Sequence, residues 1–280
     1  MKPIAPIRPS PIAGTWYEGN PVKLAAEVDR YLSDAELPDL DGDVVALIAP
    51  HAGYAYSGAV AGYAFAAVQD QSFDLVAVLS PMHAYHRDAF LTSAHYAYST
   101  PLGNITIARD DVNAVDELLR ADLGIGITPI TNDREHSLEI ELPFLQRALQ
   151  NDFELIPIMI RSTNAHELQI LGKALAKVLD GRKALLVAST DLSHFYSQED
   201  AKTLDSEMLR QIETFSPEGV LKAEEMGHGF ACGRGAVATT LYAAKELGAK
   251  NVKILNYATS GDISGDYSSV VGYGAAAILG

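Results

Sequence analysis

Histidine and cysteine are the side chains that bind metals and move protons near neutral pH. This chain holds eight of the first and one of the second. His51 stands directly after the apolar run 44–50 (VVALIAP), His83 stands two residues beyond 73–81 (FDLVAVLSP), and His194 follows 183–190 (KALLVAST) within the segment STDLSHF. Asp191 and His194 are three residues apart, so a helical turn at that point would put them on one face. A carboxylate beside an imidazole orients the ring and raises its basicity. The segment DREHSLEIELPF offers His136 and Glu139 at the same spacing, at a predicted helix start. His83 has a second histidine, His86, three residues on. Cys232 lies in FACGRG, a glycine-flanked turn ahead of a predicted helix. A thiol near a helix N-terminus is lowered towards the thiolate, the form that binds metals and attacks carbonyls.

Two chemistries use such a set. One is a metal site with imidazole and thiolate donors. The other is a hydrolase with Cys232 as nucleophile and His194 as its base. Each residue also has a structural reading. A single buried histidine is commonly a hydrogen-bonded core residue, a single cysteine packs as a small hydrophobe, and one member of the 83–86 pair can simply face solvent. His95, His166 and His228 fall in a predicted hairpin, a helix start and a loop, and read as structural or exposed. No G-x-S-x-G elbow, phosphate-binding Walker loop, G-x-G-x-x-G turn or H-E-x-x-H helix occurs.

The elements that must position these groups read as alternating strands and helices. Runs 44–50, 73–81, 153–160, 183–190 and 252–259 are short, rich in Val, Ile and Leu, and continuous rather than alternating, as in strands covered on both faces. Helical patterns occupy 21–37, 58–68, 110–121, 139–149, 165–179, 199–215 and 235–247, the first with Asn20 as N-cap and Pro21 at its first position. Segment 89–107 reads as a hairpin turning at 101–104, and the C-terminus as a last strand. This alternation predicts one α/β domain over residues 1–280, with a central, mostly parallel or mixed sheet flanked by helices. Histidines at the C-terminal ends of its strands would converge on the edge where open α/β sheets bind ligands.

The formal net charge of −15, with no Lys/Arg cluster, argues against nucleic acid or an anionic membrane as partner. One cysteine permits no intramolecular disulfide and suits a reducing cytoplasm. The proline-rich N-terminus lacks the apolar core of a signal peptide. No apolar run approaches the roughly 20 residues that span a bilayer.

Taken together, AGTWYEGN, APHAGYAYSG, LSPMH, DREHSLEIELPFLQ, STDLSHF, CGRGAV and LNYATSGD resemble, in order from about residue 12 to the C-terminus, the signatures of the Memo family. In prokaryotes the family is labelled AmmeMemoRadiSam system protein B. The resemblance implies a fold like that of the class III extradiol dioxygenases, which are non-heme Fe(II) ring-cleaving enzymes. It implies one divalent metal ion, iron(II) with copper or zinc as alternatives, held by His51, His83 and Cys232, the thiolate replacing the carboxylate of the dioxygenase ligand set. It implies His194 as acid/base beside Asp191, and His136, Glu139 and His86 lining the substrate pocket. The function implied is redox or dioxygenase-like chemistry on a small substrate. The eukaryotic relatives suggest a non-catalytic peptide or phosphopeptide-binding module instead, and the Cys–His hydrolase stays beside both. The prokaryotic label adds AMMECR-type and radical-SAM proteins as pathway partners.

Overall fold

The structure, a computed structural model, describes residues 5–280. The chain runs β1 (Ile7–Arg8), α1 (Pro21–Ser33), β2 (Val44–Ala49), α2 (Tyr54–Ala66), β3 (Leu75–Pro81), β4 (Phe90–Ser93), β5 (Ala97–Thr100), β6 (Gly103–Thr106), α3 (Arg109–Leu123) and β7 (Ile127–Ile130). It continues through a 3-10 turn (Glu139–Glu141), α4 (Leu142–Ala148), β8 (Glu154–Ile160), α5 (Ala165–Leu179), β9 (Ala184–Ser189), β10 (His194–Tyr196), α6 (Gln198–Glu213), α7 (Pro217–Glu225), α8 (Arg234–Glu246), β11 (Asn251–Thr259), α9 (Ser260–Ser264) and β12 (Val270–Leu279).

Among the described residues nine strands form the main sheet, in the order β10-β12-β2-β9-β3-β8-β4-β7 with β11 on the other side of β12. The centre, β2-β9-β3-β8, is parallel, and β10, β11 and β12 add antiparallel pairing. The sheet is therefore mixed around a parallel core. Every residue of β3 is buried and Leu75 to Leu79 have no exposure at all, as the unbroken apolar run requires. Helix α2 packs on β2, β11 and β12 with α1 and α4 behind it, while α8 packs on β2, β3 and β9 with α5 behind it. The Asn20 side chain accepts from the amides of Val22 and Lys23, which starts α1 at Pro21 as expected.

Three expectations are corrected. Segment 89–107 is not one hairpin: only β5 and β6 pair as one, with β1 alongside, and β4 joins the main sheet between β8 and β7. All four residues of β4 are buried, so it belongs to a strand covered on both faces, whereas β5 alternates. Residues 191–194 form no helical turn. The amide of Leu192 bonds the carbonyl of Gly272, and Ser193 accepts from the amide of Gly272, so β12 takes the backbone groups a turn would use. The expected helix 139–149 opens as a 3-10 turn, because Pro143 has no N–H to continue an α-helical ladder through that point.

Helices α5 and α8 meet at Gly172, where an added Cβ would lie 2.7 Å from Tyr242 Cβ and 3.0 Å from the Thr239 carbonyl. Gly172→Ala gains about 1 kcal/mol of helix propensity but overpacks this contact at a cost of roughly 1–3 kcal/mol. The expected result is a net loss of about 1 kcal/mol, read from the urea midpoint at unchanged slope.

Candidate metal centre

Chain order and spatial order differ at one place that matters. Strands β2 and β3 are consecutive parallel strands, yet β9 lies between them. Their C-terminal ends reach the same edge, a reversal point of the kind that opens a crevice. His51 leaves β2 there, His83 leaves β3, and Ser189 with Asp191 leaves β9.

His51 is 1% exposed and held at three atoms. Its backbone N–H donates to Asp191 Oδ1 at 2.8 Å, its Nδ1 lies 2.9 Å from Ser189 Oγ, and its Nε2 lies 3.1 Å from Cys232 Sγ. Burial, then the neighbouring charges of His136 and His83, holds this imidazole far below its ordinary range, so it is neutral at pH 7. His83 is clamped by Glu135, which accepts from the His83 amide at 2.6 Å and from its Nδ1 at 2.9 Å. That bond leaves Nε2 as the free donor atom. Burial works to lower His83, but the Glu135 bond and charge outweigh it and raise it. Burial works to raise Glu135, and the bond and charge of His83 with the amide of Ser137 outweigh that and hold it well below the usual carboxylate range. His136 follows Glu135, lies face to face with His83 at 4.8 Å between ring centroids, and packs against Trp16 at 4.1 Å. Burial pushes it down to about 4. One nitrogen from each of His51, His83 and His136 lies within 4.8 Å of the others.

Cys232 approaches from the turn before α8. Its amide donates to the Asp191 carbonyl at 3.2 Å, and the Asp191 amide points at its Sγ at 3.3 Å. The amide of Gly233 donates to Thr190 Oγ1 at 2.9 Å, and a Cβ at Gly233 would collide with the Ser189 carbonyl, so the turn closes tightly only with glycine. The expected lowering of the thiol is corrected: burial, reinforced by Asp191, pushes it well up, and α8 begins two residues too late to offset this. Asp191 is 5% exposed, pushed up to about 7 by burial against bonds from the amides of His51 and Ala52, and its Oδ2 lies 3.9 Å from His51 Nε2. His194 donates Nδ1–H to the Leu192 carbonyl at 2.8 Å and is held low by burial, which leaves Nε2 as a proton acceptor. Next to it Phe195 adopts φ +65° with its ring 77% exposed, an uncommon conformation for a bulky residue.

The other pocket candidates sit elsewhere. Glu139 is wholly buried in an ion pair with Arg8 (2.6 Å) and accepts from Tyr17 OH (2.8 Å) and from Ser10. Its oxygens are used in fastening the N-terminal segment. His86 bonds its own loop through the Asp88 amide and is outside the three-imidazole group. His95 is buried against the Ala5 carbonyl, while His166 and His228 are exposed. Beside His83 and Cys232 opens a cavity of about 270 Å³, also lined by Met82, Arg161, Ser162 and Arg234. Sequence reasoning missed Glu135, Ser189 and Trp16. The available signal was a polar residue ending an apolar strand run, and an acid directly before a candidate histidine.

The sequence pattern of the family described as Memo-like protein matches residues 8–277. This chain belongs to the Memo family. It is 32% identical over 274 residues to a MEMO1 family protein of Nitrosopumilus maritimus, covering 96% of this chain and 98% of that protein. It is 31% identical over 275 residues to a MEMO1 family protein of Methanopyrus kandleri, with coverage of 94% and 96%. It is 32% identical over 271 residues to one of Methanosarcina mazei, with coverage of 96% and 98%. Among solved structures, an uncharacterized protein of Escherichia coli K12 is 14% identical with a TM-score of 0.47, over 83% of this Memo chain and 99% of that one. Among the described residues no helix is long and apolar enough to cross a membrane.

The shift at Asp191 gives a pH dependence. In metal-free protein its folded value, about 7, exceeds the ordinary value of 3.8, so the folded state binds more protons between them. The stability it contributes is full below about pH 4 and is lost as pH rises through 7, on the order of 4 kcal/mol at most. His51, His136 and His194 slope the other way. The quantity to measure is therefore the difference between parent and Asp191→Asn in urea unfolding across pH 4–8, with the variant gaining relative stability as pH rises.

Proposed function

We propose that this Memo family protein binds one divalent metal ion, iron(II), through His51, His83 and Cys232, and carries out redox, dioxygenase-like chemistry on a small substrate admitted through the adjoining cavity. The observation that carries the reading is the pairing of two anchored imidazoles with ring nitrogens that converge beside a thiol. Nδ1 of His83 is tied to Glu135 and that of His51 to Ser189, one nitrogen from each of these rings and from His136 lies within 4.8 Å of the others, and Cys232 Sγ lies 3.1 Å from His51 Nε2. Imidazole and thiolate donors suit iron, copper or zinc and disfavour calcium or magnesium.

Bound iron(II) would supply an open face where dioxygen and substrate meet. The rest falls to the chain. Glu135 and Ser189 orient the two imidazoles. The neutral His136 ring, between Trp16 and His83, offers substrate a polar edge within an aromatic wall. His194 accepts a proton at Nε2, because Nδ1 is committed to the Leu192 carbonyl. Asp191, near neutrality in its protonation, steers His51 through its amide and moves charge beside Cys232.

A Cys–His hydrolase is the second reading, with its base revised: Cys232 pairs with His51 rather than His194. The raised thiol weighs against it, since the nucleophile is the thiolate.

The deciding experiment is metal analysis by plasma mass spectrometry on protein purified anaerobically and reconstituted with Fe(II), beside Cys232→Ser and His51→Ala. About one metal per chain is expected in the parent, with loss in both variants. A metal-free parent that hydrolyses an ester would sink the reading. Binding also requires the thiol proton to leave, so uptake should release about one proton and tighten as pH rises, which calorimetry in buffers of different ionisation enthalpy measures. Glu135→Gln is expected to weaken Fe(II) binding about 10–100-fold at unchanged stoichiometry.

A further inference from the structure

One buried carboxyl group has no part in the reading above. Glu141 lies in the 3-10 turn with 1% exposure, its Oε1 2.6 Å from Ser189 Oγ, and its Oε2 without a hydrogen-bond partner among the described residues. Ser189 Oγ has three polar neighbours: the Ser137 carbonyl at 2.6 Å, Glu141 Oε1 at 2.6 Å and His51 Nδ1 at 2.9 Å.

A serine hydroxyl has one proton and two lone pairs. The Ser137 carbonyl only accepts, so the Ser189 proton belongs there. The contact to Glu141 then needs a proton of its own, and Ser189 has none left. It comes from the carboxyl group. The contact to His51 likewise needs a proton, and only Nδ1–H can supply it. This assignment fills all three bonds and both lone pairs of Ser189. An ionised Glu141 would compete for the single serine proton, set two lone-pair-bearing oxygens 2.6 Å apart at Ser137 and leave a charged oxygen buried without a partner.

We infer that Glu141 is a neutral carboxylic acid that donates to Ser189 and so makes Ser189 an obligate acceptor for His51 Nδ1–H, leaving His51 Nε2 bare. Burial, with the nearby Asp191 acting in the same direction, raises Glu141 well above the carboxylate range, which agrees with the proton count. Glu141 is thus a positioning residue that acts on His51 through a hydroxyl. Its neutrality also keeps a negative charge away from an imidazole that must stay unprotonated. The inference deepens the proposed metal reading but concerns the metal-free chain.

The test has two arms on metal-free protein near pH 7. Infrared difference spectra between unlabelled protein and protein carrying ¹³C-carboxyl glutamate should show a protonated carboxylic acid band that Glu141→Gln removes. Nitrogen-15 spectra of labelled histidines should show His51 protonated at Nδ1 and bare at Nε2, unchanged in Glu141→Gln, whose amide N–H replaces the acid proton. A third arm is Fe(II) affinity: Glu141→Gln within about threefold of parent, Ser189→Ala weaker by about 10–100-fold. No acid band, a His51 proton on Nε2, or an affinity loss in Glu141→Gln equal to that in Ser189→Ala would each overturn the inference. If Glu141→Gln does not fold, the band and the tautomer in the parent protein decide. Because those two arms use no metal, failure to bind iron leaves them readable.

Discussion

The parallel pairing of β2, β9 and β3 is the constraint on which the candidate centre depends. Backbone hydrogen bonds fix Ala49 opposite Ser189 and Leu79 opposite Ala188. Three strand ends are thereby held side by side before any side chain is considered. A strand is far stiffer than a loop, and His51 and His83 each stand two residues past their strands, so these imidazoles inherit the strand spacing. A slip by one residue in β9 would turn Ser189 to the opposite face and remove the partner of His51.

Around that frame the chain spends polar groups where burial alone would forbid them. Glu135 is tolerated because it accepts from His83 and from the amides of His83, His136 and Ser137. Glu139 is tolerated because Arg8 neutralises it. Asp191 is met by two amides and Glu141 by a hydroxyl. The four carboxyl groups differ in what faces them: His83 and backbone amides hold Glu135 ionised, while burial raises Glu139, Asp191 and Glu141 above the ordinary carboxylate range.

Much of this was legible in the sequence, for identifiable reasons. Strands β2, β3, β8 and β9 are unbroken apolar runs because both faces are covered, and His51 and His83 could be placed at one edge from those runs alone. Strands β4 and β10 were not legible: the first is four residues inside a longer alternating segment, and the second exists because β12 captures the backbone at 192–194. The Arg8–Glu139 pair spans 131 residues, and no local pattern announces it, so Glu139 read as a pocket residue. The state of Cys232 depended on burial against Asp191, which local motif chemistry does not contain.

The distance along the chain between the donors has its own consequence. His51 is 181 residues from Cys232, and 138 from the serine that orients it. Closing such loops in an unfolded chain is entropically costly, so the denatured polypeptide presents no chelating cluster. The centre arises late, when non-local strand pairing is complete. In the proposed metal reading, the ion therefore meets a finished receptor rather than acting as a folding nucleus.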